Sequence, residues 1–148
     1  MDVFHSTYVN KIDRKGRVSV PADFRTILGK GGSNKVVLYP AVHYAAIEGA
    51  GVDYLEEVRR QVAALPAFSQ ERDDLIDVIL PAIEQLVMDS EGRIVLPESL
   101  IAHAHLGESA VFIGRGENFQ IWKPEALAER QAEARARVQA MRQNGAQA

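Results

Sequence analysis

Two short clusters of acidic and basic residues have the types and spacing to do chemistry. The first spells D-R-K-G-R from Asp13 to Arg17, and the second spells D-S-E-G-R from Asp89 to Arg93. In each cluster the carboxylate precedes the arginine by four residues, so it can accept hydrogen bonds from loop amides and orient the guanidinium. Outward-pointing basic side chains bind phosphates, whereas two neighbouring carboxylates could act as general acid and base. The clusters therefore suggest DNA contact, a purely structural ion pair, or an enzyme that uses Asp13 and Asp89 as a carboxylate pair.

The two clusters belong to an internal repeat. Each fixed position of the second copy lies 76 residues after its counterpart in the first (89 − 13). Both copies spell D-x-x-G-R, then three residues drawn from Val, Ile, Leu or Ser, then Pro. Both continue into a helix-like segment that ends in Leu-Gly, at Leu28 and at Leu106. Two matches in register, with the same continuation, indicate a duplication within the chain.

Each copy predicts a strand, a glycine turn that carries the arginine, a second strand and a short helix. Gly16 and Gly92 can adopt the positive φ that a tight reversal requires. After each arginine, inward and outward positions alternate as they do on a strand with one buried face. Pro21 and Pro97 suit the first turn of a helix, where a missing N–H costs nothing. Because one unit is too small for an ample core, the two units are expected to exchange strands as a pseudo-twofold pair.

The region between the repeats predicts a pair of amphipathic helices. Apolar residues recur at helical spacing over Leu55–Leu65 and again over Leu75–Leu80. Asp53 and Ser69 are the expected N-caps, and Gly49–Gly51 is the expected boundary before the first helix. The predicted organisation is a first repeat at 5–51, a helical linker at 52–80, a second repeat at 81–124, and a C-terminal helix with a frayed end at 125–148.

Composition narrows the possible functions. The chain has 148 residues, 47% of them hydrophobic, which suffices for one domain or two small interlocked ones. It has no cysteine, no apolar stretch long enough to span a membrane and no signal-peptide pattern, so a cytoplasmic protein is expected. The net charge of −3 argues against generic nucleic-acid binding. Residues 11–17, however, hold four cations and one carboxylate, and such a concentrated basic loop can bind DNA.

Other candidate sites have weaker signals. His103 and His105 are two residues apart on a predicted helix, whereas helical metal ligands sit four apart, so no metal site is expected. Neither a G-x-S-x-G nor a phosphate-binding G-x-x-x-x-G-K-[ST] motif is present, so no catalytic residue, cofactor or small-molecule substrate is expected. Four aromatic residues could stack on bases, but their apolar surroundings favour the core: Phe24, Tyr39, Phe112 and Trp122.

Two predicted helices carry charged outer faces. Asp73, Asp74 and Asp77 form an acidic face on the second linker helix, which is expected to be solvated. The C-terminal helix mixes glutamate with arginine and has a thin apolar stripe, a pattern that favours a partner-subunit contact or a solvated helix over a membrane surface.

The paired units, their spacing and the shared G-R-[VI]-x-[VL]-P resemble the MraZ family, bacterial regulators of the division and cell-wall gene cluster. Each unit resembles the AbrB-type swapped-hairpin DNA-binding fold, and the resemblance runs from about Phe4 to Pro124. It implies an α+β fold in which the two units form a pseudo-twofold β-barrel. It also implies a ring-shaped homo-oligomer, associated with the nucleoid, that binds short direct repeats of double-stranded DNA upstream of its own operon and represses it.

The residues expected to contact DNA are the basic ones in and near the turns: Lys11, Arg14, Lys15, Arg17, Arg25 and Arg93. Those expected to organise the turns are Asp13, Gly16, Asp89 and Gly92. The first turn carries a net charge of +2 from Asp13 to Arg17, whereas the second carries −1 from Asp89 to Arg93. Arg25 corresponds to Ile101 in the second repeat, although family members often have a basic residue at both positions. The first repeat is therefore predicted to dominate DNA binding, while Arg93 supports the fold or a subunit contact.

Two alternatives remain open beside the regulator and the enzyme. An antitoxin of the same fold would carry one such unit and a disordered toxin-binding tail, whereas this chain has two units and a patterned linker. A structural oligomer would use its arginines only to hold subunits together, without any DNA function.

Overall fold

A computed structural model describes residues 2–147 and confirms the α+β class. The first repeat contains β1 (Thr7–Lys11), β2 (Arg17–Ser19), α1 (Ala22–Leu28), β3 (Lys35–Pro40) and β4 (Ile47–Ala50). The linker contains α2 (Tyr54–Ala63) and α3 (Gln70–Ile79). The second repeat contains β5 (Glu84–Val87), β6 (Arg93–Val95), α4 (Glu98–His103), β7 (Ser109–Gly114) and β8 (Phe119–Trp122), and α5 (Pro124–Gln147) follows. Short 3-10 helices lie at Lys30–Gly32 and Leu80–Ala82.

The two repeats exchange strands, as the sequence predicts. Six strands form one antiparallel sheet in the order β1-β7-β8-β4-β3-β5, so the first strand of each repeat pairs with a strand of the other repeat. The second strands, β2 and β6, pair with each other in a separate two-stranded ribbon. Because β1 and β5 lie at opposite edges of the larger sheet, that sheet is open, and the closed β-barrel is not confirmed.

The strand registers have the symmetry of a twofold pair. In the ribbon, Val18 pairs with the equivalent residue Ile94. On either side of this pair, Arg17 pairs with Val95 and Ser19 pairs with Arg93, which is the same pairing seen from each repeat. In the larger sheet, Glu48 faces Gln120 at the middle of the β4–β8 pairing. Both central pairs join equivalent positions, so an approximate twofold relation links the first repeat to the second.

The ribbon and the sheet enclose one apolar core. Val18 and Ile94 are each 1% exposed, while the outward residues of the same strands remain accessible, so the predicted alternation is confirmed. Phe24 packs between aromatic rings from both repeats, with its centroid 5.5 Å from that of Tyr8 in the first repeat and 5.2 Å from that of Phe119 in the second. The four aromatic residues weighed as base-stacking candidates are all buried, as expected.

The linker helices cover one side of the larger sheet. Val58 and Ile79 pack against Val37 and Tyr39 of β3 in a second apolar cluster. Ser69 caps α3, because its hydroxyl accepts a hydrogen bond from the Arg72 amide at 3.2 Å. The capping box at the start of α2 does not form: the N-cap Asp53 has helical φ and ψ, and its side chain makes no cap hydrogen bond. None of the helices formed by residues 2–147 combines the length and apolar content needed to cross a lipid bilayer.

Two element ends differ from the sequence-based expectation. Gly49 and Ala50 lie inside β4 rather than in a boundary loop, and Gly49 pairs with Phe119. A Cβ atom at Gly49 would lie 2.3 Å from Cε2 of Phe119, so glycine is used here for close packing instead of a turn. At the C-terminus, α5 continues to Gln147, where a frayed end was expected, and Ala148 lies outside the described residues.

Candidate functional site

The first turn is organised by the side chain of Asp13. Its Oδ1 accepts hydrogen bonds from the amides of Lys15 and Arg17, each at 2.9 Å, and its Oδ2 accepts one from Arg17 Nε at 2.6 Å. Gly16 has φ of +79° and donates its amide to the Asp13 carbonyl at 3.0 Å. The carboxylate therefore holds both the loop backbone and the arginine side chain, and glycine supplies the left-handed conformation that closes the turn.

The second turn repeats this geometry. Asp89 accepts hydrogen bonds from the Glu91 and Arg93 amides and from Arg93 Nε, all at 2.9 Å. Gly92 has φ of +80°, one degree from its counterpart in the first repeat. The second turn has one further ion pair, between Glu91 and Nη2 of Arg93 at 3.4 Å. The two backbones are thus equivalent, and the turns differ in side-chain charge.

The protonation of the two aspartates follows from these hydrogen bonds. Hydrogen bonds from the Arg17 amide and side chain hold the pKa of Asp13 below its ordinary value, and Arg93 does the same for Asp89. The hydrogen bond with Asp89 raises the pKa of Arg93. A catalytic general acid needs a raised carboxyl pKa, so the shift at both aspartates runs opposite to acid–base chemistry. The carboxylates are suited to holding the turns.

The β2–β6 ribbon places the two turns at its opposite ends. The Val20 amide donates to the Gly92 carbonyl at 3.0 Å, and the Leu96 amide donates to the Gly16 carbonyl at 2.8 Å. Val20 follows Gly16 by four residue steps and bonds to Gly92, so the two glycines lie about 13 Å apart along the ribbon. The outward face between them carries Ser19 and Val95, with one turn-anchored arginine at each end. This face presents two equivalent turns on a short, rigid support.

The first turn carries cations that its own aspartate does not engage. The side chain of Arg17 is 35% exposed and paired with Asp13, whereas Arg14, Lys15 and Lys11 are exposed. In the described part of the chain, none of these three accessible cations forms an ion pair. Because these cations are exposed and unpaired, the first turn concentrates more free positive charge than the second.

Arg25 lies at the second turn, although it belongs to the first repeat. A Cβ atom at Gly92 would lie 2.4 Å from both Cδ and Nη1 of Arg25, so the guanidinium covers that glycine. The equivalent neighbour of Gly16 is Ile101, whose Cδ1 would be 3.8 Å from an added Cβ. Within residues 2–147 the buried Nε of Arg25 has no hydrogen-bond partner. Strand exchange therefore adds a cation to the acidic second turn and brings its local charge from −1 to 0.

The structure brings together five of the six predicted DNA-contacting residues at the two ends of the ribbon, and Lys11 ends β1 just before the first turn. Sequence reasoning missed the position of Arg25 because the offset assigns it to the first repeat. The signal that could have found it is the strand exchange itself. If two units swap strands about a twofold axis, the helix of one unit can reach the turn of the other.

A separate polar cluster lies below the linker helices, and no motif pointed to it. Gln120 is 2% exposed, donates to Glu48 Oε1 at 2.5 Å and accepts from Trp122 Nε1 at 2.9 Å. Arg115 Nη1 donates to the same Gln120 oxygen at 3.3 Å. Burial raises the pKa of Glu48. Glu48, Arg115 and Gln120 line a cleft of about 360 Å³ beside α2 and α3, and the pairing of Glu48 with Gln120 joins the two repeats at the twofold centre.

Comparison with known proteins gives one consistent result. A family model described as "MraZ protein, putative antitoxin-like" matches residues 80–146. The chain is 44% identical to the transcriptional regulator MraZ of Rickettsia canadensis (strain McKiel) over 125 residues, which is 84% of each chain. It is 45% identical to the protein of the same name from Rickettsia rickettsii (strain Sheila Smith), again over 125 residues and 84% of each chain. A match of 125 residues is longer than either repeat alone.

Proposed function

The chain belongs to the MraZ family, and from this membership and the geometry of its two turns we propose that it is a sequence-specific DNA-binding regulator of transcription. The relatives are named transcriptional regulators. The observation that carries the proposal is the first turn, where Asp13 holds the backbone and leaves Arg14 and Lys15 exposed and unpaired. Such cations are the groups that neutralise phosphates.

The ribbon is the element that approaches DNA. The major groove is about 12 Å wide and admits a two-stranded β-ribbon, and the β2–β6 ribbon has only three residues in each strand. Its outward face can approach the groove while the turns at its two ends reach the phosphates on either side. Phosphate contacts from the turns position the protein on the duplex, and contacts from the ribbon face read the bases.

The predicted residues take distinct roles in this arrangement. Asp13 and Asp89 hold the turns, with the help of the glycines at positive φ. Arg14 and Lys15 contact phosphates, and Lys11 extends the basic surface along β1. Neighbouring groups constrain the other three arginines, Arg17, Arg93 and Arg25. The first two are oriented by aspartates, and the third lies over Gly92 and supplies the cation of the second turn.

The DNA-binding form is a ring-shaped homo-oligomer. It binds several short direct repeats of DNA upstream of its own operon and represses transcription of that operon. One basic turn per chain is a weak ligand, whereas several turns on one assembly gain effective concentration and bind about 10²- to 10⁴-fold more tightly. The proposed location is the nucleoid within the cytoplasm. We propose no enzymatic role, because both aspartates are occupied by their turns and have lowered pKa values.

Fluorescence anisotropy with labelled DNA from upstream of the chain's own coding sequence tests this function. Arg17→Ala should weaken binding, because it removes a cation that Asp13 orients toward the ribbon face. Arg59→Ala is the matched control, since Arg59 is exposed on α2 and pairs within its own helix. Equal binding by Arg17→Ala and wild type, with the oligomer intact in both, would contradict the proposed interface.

A second candidate is the antitoxin role that the matching family model's description suggests. An antitoxin of this fold would use a disordered tail to hold its toxin, whereas the segment after the second repeat of this chain is the helix α5. Co-purification of a stoichiometric toxin that dissociates on removal of α5 would favour the antitoxin role over the autonomous regulator.

A further inference from the structure

The outer half of α5 extends away from the two repeats. The helix has 24 residues, which corresponds to about 36 Å. Its first turns are anchored, since Leu127 is 4% exposed and the Arg130 guanidinium lies 4.8 Å from the ring centroid of Tyr44. Every residue from Arg135 to Gly145 is exposed. Three turns of helix therefore stay exposed on the surface that residues 2–147 form.

This free helix carries an apolar seam with basic flanks. After Leu127, one face of the helix is marked by positions at alternating steps of four and three residues. The first of these positions is Gln131, and the next three are small or apolar: Ala134, Val138 and Met141. Val138 is 46% exposed and Met141 is 69% exposed. On the exposed part of the helix, three of the four positions that flank this seam are arginines, Arg135, Arg137 and Arg142, and the fourth is Asn144. An apolar seam indicates a protein partner, because phosphate contact needs only the arginines.

The charges disfavour a second copy of the same helix as that partner. In a paired coiled coil the flanking positions of one helix face those of the other, in either orientation. Two copies of α5 would place arginine against arginine along the seam, and like charges in that position oppose pairing. The partner surface must instead be acidic and must carry exposed apolar side chains of its own.

One surface of this chain meets both requirements. On α3, Asp73, Asp74 and Asp77 are all exposed. Beside them Val78 is 57% exposed, and Leu80, just after the helix, is 43% exposed. The helix holds four carboxylates and one arginine, a net charge of −3. The sequence predicts that this acidic face is solvated. It nevertheless offers both the negative charge and the exposed apolar side chains that would complement α5.

We propose that α5 of one copy docks on α3 of a second copy, with Val138 and Met141 against Val78 and Leu80. This inference rests on the proposed homo-oligomer and assigns the surfaces that build it. Because the two surfaces differ, each copy can donate α5 to one neighbour and accept α5 from another. Such a head-to-tail contact closes into a ring when the rotation between copies permits.

Charge exchange tests the contact. Asp74→Lys with Asp77→Lys reverses the α3 surface, and Arg135→Glu with Arg142→Glu reverses the α5 surface. Each double variant should lower the association constant measured by light scattering about tenfold or more, because attraction becomes repulsion at an interface that also desolvates apolar groups. The variant with all four changes should recover most of the association, since the charges are again complementary.

The matched control exchanges charges within α2. Glu56→Lys with Arg59→Glu keeps a local ion pair, which measures 2.5 Å in the native chain, and reverses the same number of charges away from the proposed contact. Association by this control should equal that of the wild type. Circular dichroism of each variant separates loss of assembly from loss of folding.

A crosslink tests the same contact directly. The chain has no cysteine, so Val78→Cys and Val138→Cys can be introduced into separate preparations without background. After mixing and mild oxidation, a disulfide should join one variant to the other, because bridged residues have Cα atoms within about 7 Å. Neither preparation alone should crosslink.

The outcomes separate this inference from the proposed function. A monomeric wild type would overturn both the oligomer and the contact. An oligomeric wild type whose association survives both charge reversals, or is not recovered by the fourfold exchange, would overturn the contact alone. Loss of DNA affinity by Arg135→Glu with Arg142→Glu, at unchanged oligomer size, would assign α5 to nucleic acid and also overturn the contact.

Discussion

The difference between the two turns predicts how DNA affinity depends on salt. Their backbones are equivalent, with φ of +79° and +80° at the glycines and matching hydrogen bonds to the aspartates. Arg14 and Lys15 of the first turn correspond to Ser90 and Glu91 of the second. Removing the two cations should therefore weaken DNA binding, while adding them at the second turn should strengthen it. The shared backbone makes each change a substitution of charge alone.

The magnitude follows from counterion release. Each neutralised phosphate contributes about 0.9 to the slope of log affinity against log salt, so Arg14→Ala with Lys15→Ala should flatten the slope by about 1.8 for each engaged turn. Between 50 and 200 mM salt this corresponds to about a tenfold smaller loss of affinity. Ser90→Arg with Glu91→Lys should steepen the slope and also release Arg93 from its 3.4 Å pair with Glu91.

Fluorescence anisotropy across a salt series, on duplexes from upstream of the coding sequence, measures both slopes. All four positions are exposed, so the free energy of unfolding should change by less than about 0.5 kcal/mol in either variant. Sizing of each variant confirms that the same oligomer is compared. Unchanged slopes in both variants would refute the phosphate-binding role of the first turn.

Three further predictions concern the turns and the core. Asp13→Asn and Asp89→Asn should make the free energy of unfolding fall less steeply as the pH is lowered. The lowered folded-state pKa of each aspartate contributes stability that is present above the unfolded pKa and is lost as pH falls, and asparagine cannot contribute it. Urea unfolding from pH 7 to pH 3 measures this dependence. Gly49→Ala should cost about 1–3 kcal/mol in urea unfolding, because its Cβ would lie 2.3 Å from the Phe119 ring. Arg93→Ala should weaken DNA binding less than Arg17→Ala does, and it should lower stability or assembly more. Fluorescence anisotropy measures the DNA affinity of both variants, and sizing measures their assembly.

Each of these has a clear contrary result. If the free energy of unfolding falls equally steeply with decreasing pH in the wild type and the asparagine variants, protonation of the turn aspartates is not coupled to folding. Wild-type stability of Gly49→Ala would show that the Phe119 ring moves aside without cost. If Arg93→Ala abolishes DNA binding as fully as Arg17→Ala while the oligomer stays intact, the two turns contribute equally.

The turns were predictable because their chemistry is local. An aspartate four residues before an arginine, with a glycine between them, specifies its own hydrogen bonds without help from the rest of the chain. The alternation of Val18 and Val20 with outward residues likewise follows from strand geometry. The duplication, read from the 76-residue offset, then predicted that the second turn repeats the first.

Long-range placement was harder to predict. No local signal shows that the Arg25 side chain covers Gly92, since the contact depends on how the two units cross. The same is true of Gly49, whose glycine pattern resembles a loop until the Phe119 ring is placed beside it. The expected cap at Asp53 failed because the chain enters α2 with helical φ and ψ already at that residue. The placements of Arg25 and Gly49 therefore arise from packing between segments that are distant in sequence, whereas the missing cap reflects the local backbone at Asp53.

The most direct measurement of the central claim compares wild-type affinity for the upstream duplex with affinity for a scrambled duplex of equal length and composition, at physiological salt. A sequence-specific regulator that holds cations on an aspartate-anchored ribbon should prefer the upstream duplex by about 10³-fold or more. Equal affinity for the two duplexes, by an oligomer of unchanged size, would contradict the proposed function.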